Sequence, residues 1–192
     1  MSQYTVGTPE GTRDRLYSEC RDRRALENSL LELFDRRGYS EVITPTVEYY
    51  DMFVKHGNSL PQESMLKMVD RSGRILVLRP DMTTPIARVA ATKLKNEVLP
   101  QRFCYLQSVY RSDTMNAGKN SEIAQAGIEI IGAGGMKADI EVISMAADAL
   151  KTCGLDEFYM GLGHAGIFKA LVDELNTDAD TVEEIHRLIE IG

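Results

Sequence analysis

Apolar residues recur along this chain with two different periods, one typical of helices and the other typical of strands. Apolar residues at intervals of three and four predict a helix from Tyr17 to Arg37, with Gly38 as its C-terminal stop. The same reasoning predicts four further helices. They cover residues 83–95, 138–152, 164–175 and 182–191.

Extended runs between these helices predict six strands. The run Tyr39–Val47 contains Pro45, which suits a sheet edge or an interface better than a sheet centre. A hairpin is predicted where Arg71-Ser72-Gly73 separates residues 66–70 from residues 74–78. The remaining predicted strands are Arg102–Arg111, Ser121–Ile131 and Glu157–Leu162.

Strands that pair as hairpins, with helices inserted between them, predict an α+β fold with a mostly antiparallel sheet flanked by helices. We expect residues 1–175 to form the main domain and residues 176–192 to begin a following helical segment. The last helix carries Val182, Ile185 and Leu188, and its apolar face needs a partner. We therefore interpret the chain as a truncated piece of a longer protein.

The composition is that of a soluble globular protein, with 43% hydrophobic and 27% charged residues among 192. Neither an apolar run of the ~20 residues that span a membrane nor a secretory signal is present, so we expect a cytoplasmic location. A net charge of -7 argues against a nucleic-acid partner.

The sequence offers little for metal, redox or nucleophilic chemistry. Cys20, Cys104 and Cys153 lie far apart without CxxC spacing, which argues against a disulfide framework and a zinc site. No histidine pair has metal-ligand spacing, and no GxSxG motif is present. We expect no metal, no cofactor and no catalytic residue.

The strand Ser121–Ile131 carries the polar residues with most chemical content. Its residues alternate between two faces, and Ala124, Ala126, Ile128 and Ile130 make one face apolar. Gln125 and Glu129 then lie on the opposite face, about 13 Å apart at ~3.3 Å per residue. Such a face is either a ligand pocket or an ordinary solvated sheet surface with incidental ion pairs.

The residue types suggest a ligand for a pocket at this place. Carboxylates of Asp81 and Glu129 suit an ammonium group, Arg111 suits a carboxylate through its two-pronged guanidinium, and Gln125 suits either. A zwitterionic amino acid matches that set.

Several ordered motifs resemble the class II aminoacyl-tRNA synthetase catalytic fold in its histidyl branch. Gly11-Thr12-Arg13-Asp14 is similar to the N-terminal GTRD signature, and Gly38–Glu48 is similar to motif 1, whose proline lies at the dimer interface. Leu78–Thr83 (LRPDMT) resembles the histidine-contacting loop. Tyr110–Glu129 resembles motif 2 with its following strand. This resemblance implies that Asp81, Thr83, Arg111, Gln125 and Glu129 contact L-histidine.

The chain departs from the synthetase pattern where the resemblance places ATP. The acid after Arg111 is shortened to Asp113, and Lys119 and Ser121 stand where arginines are usual. Ile123 occupies the position of the adenine-stacking phenylalanine. Each lost stacking or charged contact costs about 1 to 3 kcal/mol, so we expect a kept amino-acid site beside a lost nucleotide site.

That combination resembles the ATP phosphoribosyltransferase regulatory subunits, which are histidyl-synthetase-like proteins without aminoacylation activity. The resemblance implies a partner, the short-form ATP phosphoribosyltransferase catalytic subunit, and a role in histidine feedback on the first step of histidine biosynthesis. It also implies a homodimer through Gly38–Glu48 within a hetero-oligomer. The alternative is a histidyl-tRNA synthetase, an ATP-dependent enzyme of the same fold.

Overall fold

The structure, a computed structural model, describes residues 7–55, 60–112, 120–175 and 177–191. The chain forms two compact units, Met1–Asp156 and Glu157–Gly192. The described residues of the first unit form four α-helices, one 3-10 helix (Gln62–Ser64) and six strands. Its helices are α1 (Tyr17–Arg36), α2 (Asp51–Val54), α3 (Thr83–Thr92) and α4 (Met136–Thr152), and its strands are β1 (Ser40–Glu41), β2 (Val47–Tyr49), β3 (Lys67–Val69), β4 (Ile75–Leu78), β5 (Gln101–Tyr110) and β6 (Glu122–Ile131).

The first sheet has the order β1-β5-β6 and provides the frame of the unit. Strands β5 and β6 pair antiparallel over their whole length, from Gln101 opposite Ile131 to Tyr110 opposite Glu122. Strand β1 joins β5 in parallel. The long hairpin predicted from residues 102–111 and 121–131 is confirmed.

A second sheet has the order β2-β4-β3 and is antiparallel throughout. It contains the predicted hairpin around Arg71-Ser72-Gly73, where Gly73 adopts a φ of 79°. The single strand predicted over Tyr39–Val47 is wrong, because β1 and β2 belong to different sheets. Pro45 lies in the break between them and lacks the N–H that a ladder needs.

Both faces of the first sheet are covered, although by different helices. On one face Cys104 packs with Leu30 and Phe34 of α1 and with Met145 of α4. On the other face a second cluster forms beneath α3, and its buried members are Met82, Ile86, Ala90, Phe103, Tyr105 and Val109. Each large side chain buried in this way contributes about 1.5 to 3 kcal/mol. The α+β prediction with a mostly antiparallel sheet is confirmed.

The second unit contains α5 (Ala165–Leu175) and α6 (Ala179–Ile191), close to the bounds predicted for two helices. His164 precedes α5, where its Nδ1 accepts the N–H of Gly166 at 3.0 Å. The strand predicted over Glu157–Leu162 is wrong, since no described strand pairs with these residues. An extended run becomes a strand only where a neighbour satisfies its backbone groups.

The boundary between the two compact units precedes α5, whereas the sequence-based expectation placed a domain boundary after residue 175. Cys20, Cys104 and Cys153 are free thiols. Within the described ranges, no helix is both long enough and apolar enough to cross a membrane.

Candidate functional site

The candidate site lies on the α3 side of the β5-β6 hairpin. Residues directly opposite each other in an antiparallel pair share a face. Glu129 is opposite Phe103, and Gln125 is opposite Gln107. Phe103, Tyr105 and Val109 on this face are buried beneath α3, so this part of the sheet is not an open solvated surface.

Glu129 is held by the first residue of α3. The hydroxyl of Thr83 donates a hydrogen bond to Glu129 Oε1 at 2.8 Å. Burial raises the pKa of Glu129 above its usual range, and the negative charge of Asp81 adds to the rise, while the Thr83 hydrogen bond opposes it. A half-buried carboxylate with a raised pKa gains from a cationic partner.

Asp81 lies on the turn that leads into α3. Its Oδ1 accepts the backbone N–H of Thr84 at 3.0 Å, which fixes the carboxylate at the start of the helix. The charge of Asp81 acts on both Glu129 and Tyr105. Two carboxylates that repel each other in a half-buried place favour an ammonium group between them.

Tyr105 is a member of the site that the sequence reasoning missed. Burial raises the pKa of Tyr105 to about 12, with the charge of Glu129 as the next cause, while the neighbouring Thr83 hydroxyl opposes the rise. The opposite residue is Gly127, where a Cβ would collide with the phenol. The sequence contained one signal for this contact, a tyrosine and a glycine on the two strands of a predicted hairpin. Recognising it required the pairing register of the two strands, which the sequence did not determine.

Arg111 lies at the edge of the site. Its Nε donates to the carbonyl oxygen of Pro80 at 2.7 Å, and its backbone N–H donates to Ser121 at 2.9 Å. The guanidinium is therefore beside the turn that carries Asp81. Such a planar group with several donors is suited to a ligand carboxylate.

Gln125 is half-buried on the same face as Glu129. Its amide oxygen is buried and accepts no hydrogen bond from the described residues. A buried acceptor without a donor costs about 1 to 3 kcal/mol, so a ligand N–H at this place would gain from the contact.

The structure thus joins Thr83 to Glu129 by a hydrogen bond and places Asp81 close enough for its charge to act on Glu129. It places Arg111 against the adjoining turn, and Gln125 further along β6. Within the part of the chain that the structure describes, no group of three or more histidine, cysteine, aspartate or glutamate side chains is arranged to hold a metal ion. The set is one of donors and acceptors suited to a small polar organic molecule.

The structure describes only part of the segment in which the sequence departs from the nucleotide-binding pattern. Asp113 and Lys119 lie outside the described residues. Ile123 is 40% exposed on the same face as Gln125. The N–H of Ser121 donates to the carbonyl of Gly11 at 2.6 Å, and a Cβ at Gly11, whose φ is 75°, would collide with the Ser121 side chain. The segment Gly11–Asp14 therefore begins against the start of β6.

Comparison with known proteins identifies the family to which the chain is similar. Residues 11–191 match the family described as histidyl-tRNA synthetase. The ATP phosphoribosyltransferase regulatory subunit of Clostridium kluyveri is 46% identical over 99% of this chain and 49% of its own. The protein of the same name from Acetivibrio thermocellus is 44% identical over 99% of this chain and 46% of its own.

Among solved structures, an ATP phosphoribosyltransferase regulatory subunit/histidyl-tRNA synthetase from Bacillus halodurans superposes with a TM-score of 0.89 at 34% identity. The match covers 97% of this chain and 48% of that one. The chain spans about half the length of the curated relatives that it matches. Because the family match extends over nearly the whole sequence, the chain belongs to the histidyl-tRNA synthetase family.

Proposed function

We propose that this protein is a regulatory subunit of ATP phosphoribosyltransferase and that its site binds L-histidine as a feedback effector. The observation that carries the site is the half-buried group of Glu129, Thr83 and Asp81 with Arg111 against the same turn. Relatives that are 38 to 46% identical over nearly the whole chain bear the name of that subunit.

Histidine matches the donors and acceptors of the site group by group. Its ammonium would lie near the carboxylates of Glu129 and Asp81 and relieve their mutual repulsion. Its carboxylate would pair with Arg111, and an N–H would reach the unsatisfied amide oxygen of Gln125. We infer that Thr83 holds Glu129 for this contact, because its hydroxyl already donates to that carboxylate.

The nucleotide half of the site supports regulation over catalysis. Ile123 offers no aromatic face to an adenine, and Ser121 uses its backbone N–H on Gly11 and has no cationic side chain. Aliphatic and hydroxyl groups replace neither stacking nor a forked cation on a triphosphate. The protein would therefore bind histidine without activating it, as a non-catalytic subunit.

Feedback by histidine follows from linkage. A ligand shifts an assembly only as far as its affinities for two states differ. A coupling of about 1 to 3 kcal/mol between the histidine site and a site on the catalytic subunit would change the binding affinity at that second site 5- to 150-fold. The partner in this proposal is the short-form catalytic subunit, and the place of action is the cytoplasm.

Calorimetry tests the site. Histidine should bind the unaltered protein, and Glu129→Gln should weaken binding at least tenfold, because hydrogen bonds to charged groups contribute about 1.5 to 3 kcal/mol. Glu122→Gln is the matched control, since Glu122 lies on the same strand but bonds Ser108 at 2.8 Å on the other face. Equal weakening by both variants would remove Glu129 from the site.

Reconstitution tests the function. Mixed with a short-form ATP phosphoribosyltransferase, the protein should raise transferase activity, and histidine should suppress it. Glu129→Gln should keep the stimulation and lose the suppression. Charging of histidine tRNA at an ordinary enzymatic rate, without a complex at micromolar concentration, would favour the synthetase alternative instead.

We further propose a homodimer through Gly38–Glu48. The segment between β1 and β2 exposes Ile43 at 74% of its surface, which leaves an apolar side chain available to a second copy of the chain. Ile43→Glu should lower the dimer fraction in sedimentation velocity. Val98→Glu is the control, because Val98 is 87% exposed outside this segment. A dimer that withstands Ile43→Glu would contradict this interface.

A further inference from the structure

Arg79 is the most completely enclosed cation among the described residues, with 3% of its surface exposed. Its Nε donates to the carbonyl of Ser108 at 2.8 Å, and its Nη1 donates to the carbonyl of Thr44 at 2.7 Å. Its own backbone is held as well. Its N–H donates to Thr46 at 2.9 Å, and its carbonyl accepts the N–H of Tyr110 at 2.9 Å.

The partners of this guanidinium are neutral. In the described part of the chain, no carboxylate forms an ion pair with Arg79, and burial lowers its pKa below the usual range, although the charges of Tyr110 and Glu48 oppose the shift. A buried charge without an opposite charge is costly, and an apolar side chain of similar size would fill the space at lower cost. The planar guanidinium, however, holds two carbonyl oxygens in fixed positions at once, which an apolar side chain cannot do.

Those two carbonyls belong to two different segments of the chain. Ser108 belongs to β5, and Thr44 belongs to the segment between β1 and β2. Thr44 is also clamped by the Gln107 side chain, which accepts its N–H at 3.0 Å and donates to its carbonyl at 3.2 Å. Arg79 therefore ties the turn to both the first sheet and the Thr44 segment.

The very next residue makes the contact to the candidate site. The carbonyl of Pro80 accepts Nε of Arg111 at 2.7 Å, and Pro80 is itself buried. Four hydrogen bonds on Arg79 thus determine where the Pro80 carbonyl lies. That carbonyl in turn determines the direction of the Arg111 guanidinium.

We propose that Arg79 is a positioning residue that orients the Arg111 guanidinium, acting through the Pro80 carbonyl and anchored on Thr44 and Ser108. That Arg111 then receives a ligand carboxylate rests on the proposed function, whereas its orientation by Arg79 does not. Arg79 itself touches no ligand in this scheme.

Two substitutions at Arg79 separate charge from geometry. Arg79→Lys keeps the positive charge but loses the planar guanidinium with its several donors. Arg79→Gln loses the charge and keeps one amide donor group on a shorter side chain. The matched control is Arg102→Lys, because Arg102 of β5 makes a comparable fork to Glu141 at 2.9 and 3.1 Å on the face of β5 opposite the candidate site. Thermal unfolding of all three variants measures the general loss of stability.

The first readout is the Nε–H signal of Arg111 in ¹H–¹⁵N NMR of the 192-residue chain, assigned by its loss in Arg111→Lys. The unaltered chain should show a slowly exchanging Arg111 Nε–H, because it donates to Pro80. Both Arg79 variants should lose this protection, and Arg102→Lys should retain it. Rapid exchange in the unaltered chain, or protection that persists without Arg79, would overturn the proposal even if a variant were too unstable to study.

The second readout compares histidine with histidinol, in which an alcohol replaces the carboxylate. Arg79→Lys should weaken histidine binding about tenfold and histidinol binding by less than about twofold, tenfold being ~1.4 kcal/mol. Equal losses for both molecules would indicate general damage and overturn the proposal. If the unaltered protein bound no histidine, the proposed function would fail, and the NMR result alone would decide the role of Arg79.

Discussion

At the scale of single residues, the site is a balance of opposing effects on Glu129. Burial and the charge of Asp81 disfavour its carboxylate, while the hydroxyls of Thr83 and Tyr105 favour it. Burial and the charge of Asp81 have the larger effect, because the pKa of Glu129 lies above its ordinary value of 4.5. In the ligand-free protein the ionised carboxylate of Glu129 is therefore destabilised, and a cationic ligand would relieve this cost.

Glu129→Gln should make the ligand-free protein more stable at neutral pH, although under the proposed function it should weaken histidine binding. The folded chain holds the Glu129 proton more tightly than the unfolded chain does, so the contribution of Glu129 to the free energy of unfolding is most favourable below pH 4.5 and falls as pH rises through the folded-state pKa. Urea unfolding at several pH values measures the difference between the variant and the unaltered protein. The gain from Glu129→Gln should shrink as pH falls through the folded-state pKa toward 4.5, and a gain that grows toward acid would contradict the assignment.

Gly127→Ala should destabilise the protein by about 1 to 3 kcal/mol, the usual cost of an added methyl group in a packed place. Its Cβ would collide with the Tyr105 phenol, which cannot retreat because the ring is buried. Gly134→Ala is the control, since a Cβ there meets no atom within 4 Å. Chemical denaturation of both variants measures the difference, and equal losses would contradict the close packing of Tyr105.

At the scale of elements, the first sheet is held to its helices by side chains as well as by packing. Glu141 of α4 accepts a two-pronged hydrogen bond from Arg102 of β5 and a third bond from the Tyr39 hydroxyl at 2.8 Å. These bonds lower the pKa of Glu141 to about 2, with Arg102 as the largest cause. One carboxylate thus joins α4, β5 and the residue before β1.

Glu141→Gln should reduce stability at neutral pH and should matter less in acid. The depressed pKa gives Glu141 a stabilising effect that is complete above 4.5 and is lost as pH falls toward about 2. Urea unfolding of the variant and the unaltered protein should therefore converge as the pH is lowered. Glu32→Gln is the control, because the Glu32–Arg36 pair on α1 is exposed and contributes little. A difference that stays constant down to acid pH would show that Glu141 acts by shape alone.

At the scale of the whole molecule, the clusters of buried residues found among the described residues lie in the first compact unit. Its three clusters of buried residues are built by α1, the β1-β5-β6 sheet, α3, α4, and the β2-β4-β3 sheet with α2. None of their members lies in the second unit, Glu157–Gly192. The candidate site is contained in the first unit as well.

A chain that ends at Asp156 should therefore fold and unfold cooperatively. Its melting temperature should lie within a few degrees of that of the longer chain, because all three clusters are retained. A chain that ends before α4, at Gly135, should lose cooperative unfolding, since Met145 and Ala149 of that helix pack in the Cys104 cluster. Circular dichroism melting of the two shortened chains measures both effects. Unfolding of the first would contradict an independent first unit.

Much of the secondary structure could be predicted from the sequence, because it depends on local periodicity. The spacing of apolar residues located α1 and α3 to within a few residues, and alternation located β5 and β6. The wrong predictions concerned segments whose structure depends on distant parts of the chain. Glu157–Leu162 has a strand-like pattern but no described partner strand, and Tyr39–Val47 is divided between two sheets at Pro45. Pairing depends on distant backbone groups, which local pattern does not contain.

The candidate site divides in the same way. The sequence by itself determined that Gln125 and Glu129 share a face, since side chains alternate along any strand. Only the tertiary structure decided that Thr83 binds Glu129, that Tyr105 fills the space opposite Gly127, and that Arg79 is buried behind the turn. These contacts join residues that are 22 to 46 positions apart in the sequence. Burial, strand register and the pKa of Glu129 are set by which segments meet in space, and that is why they came from the fold.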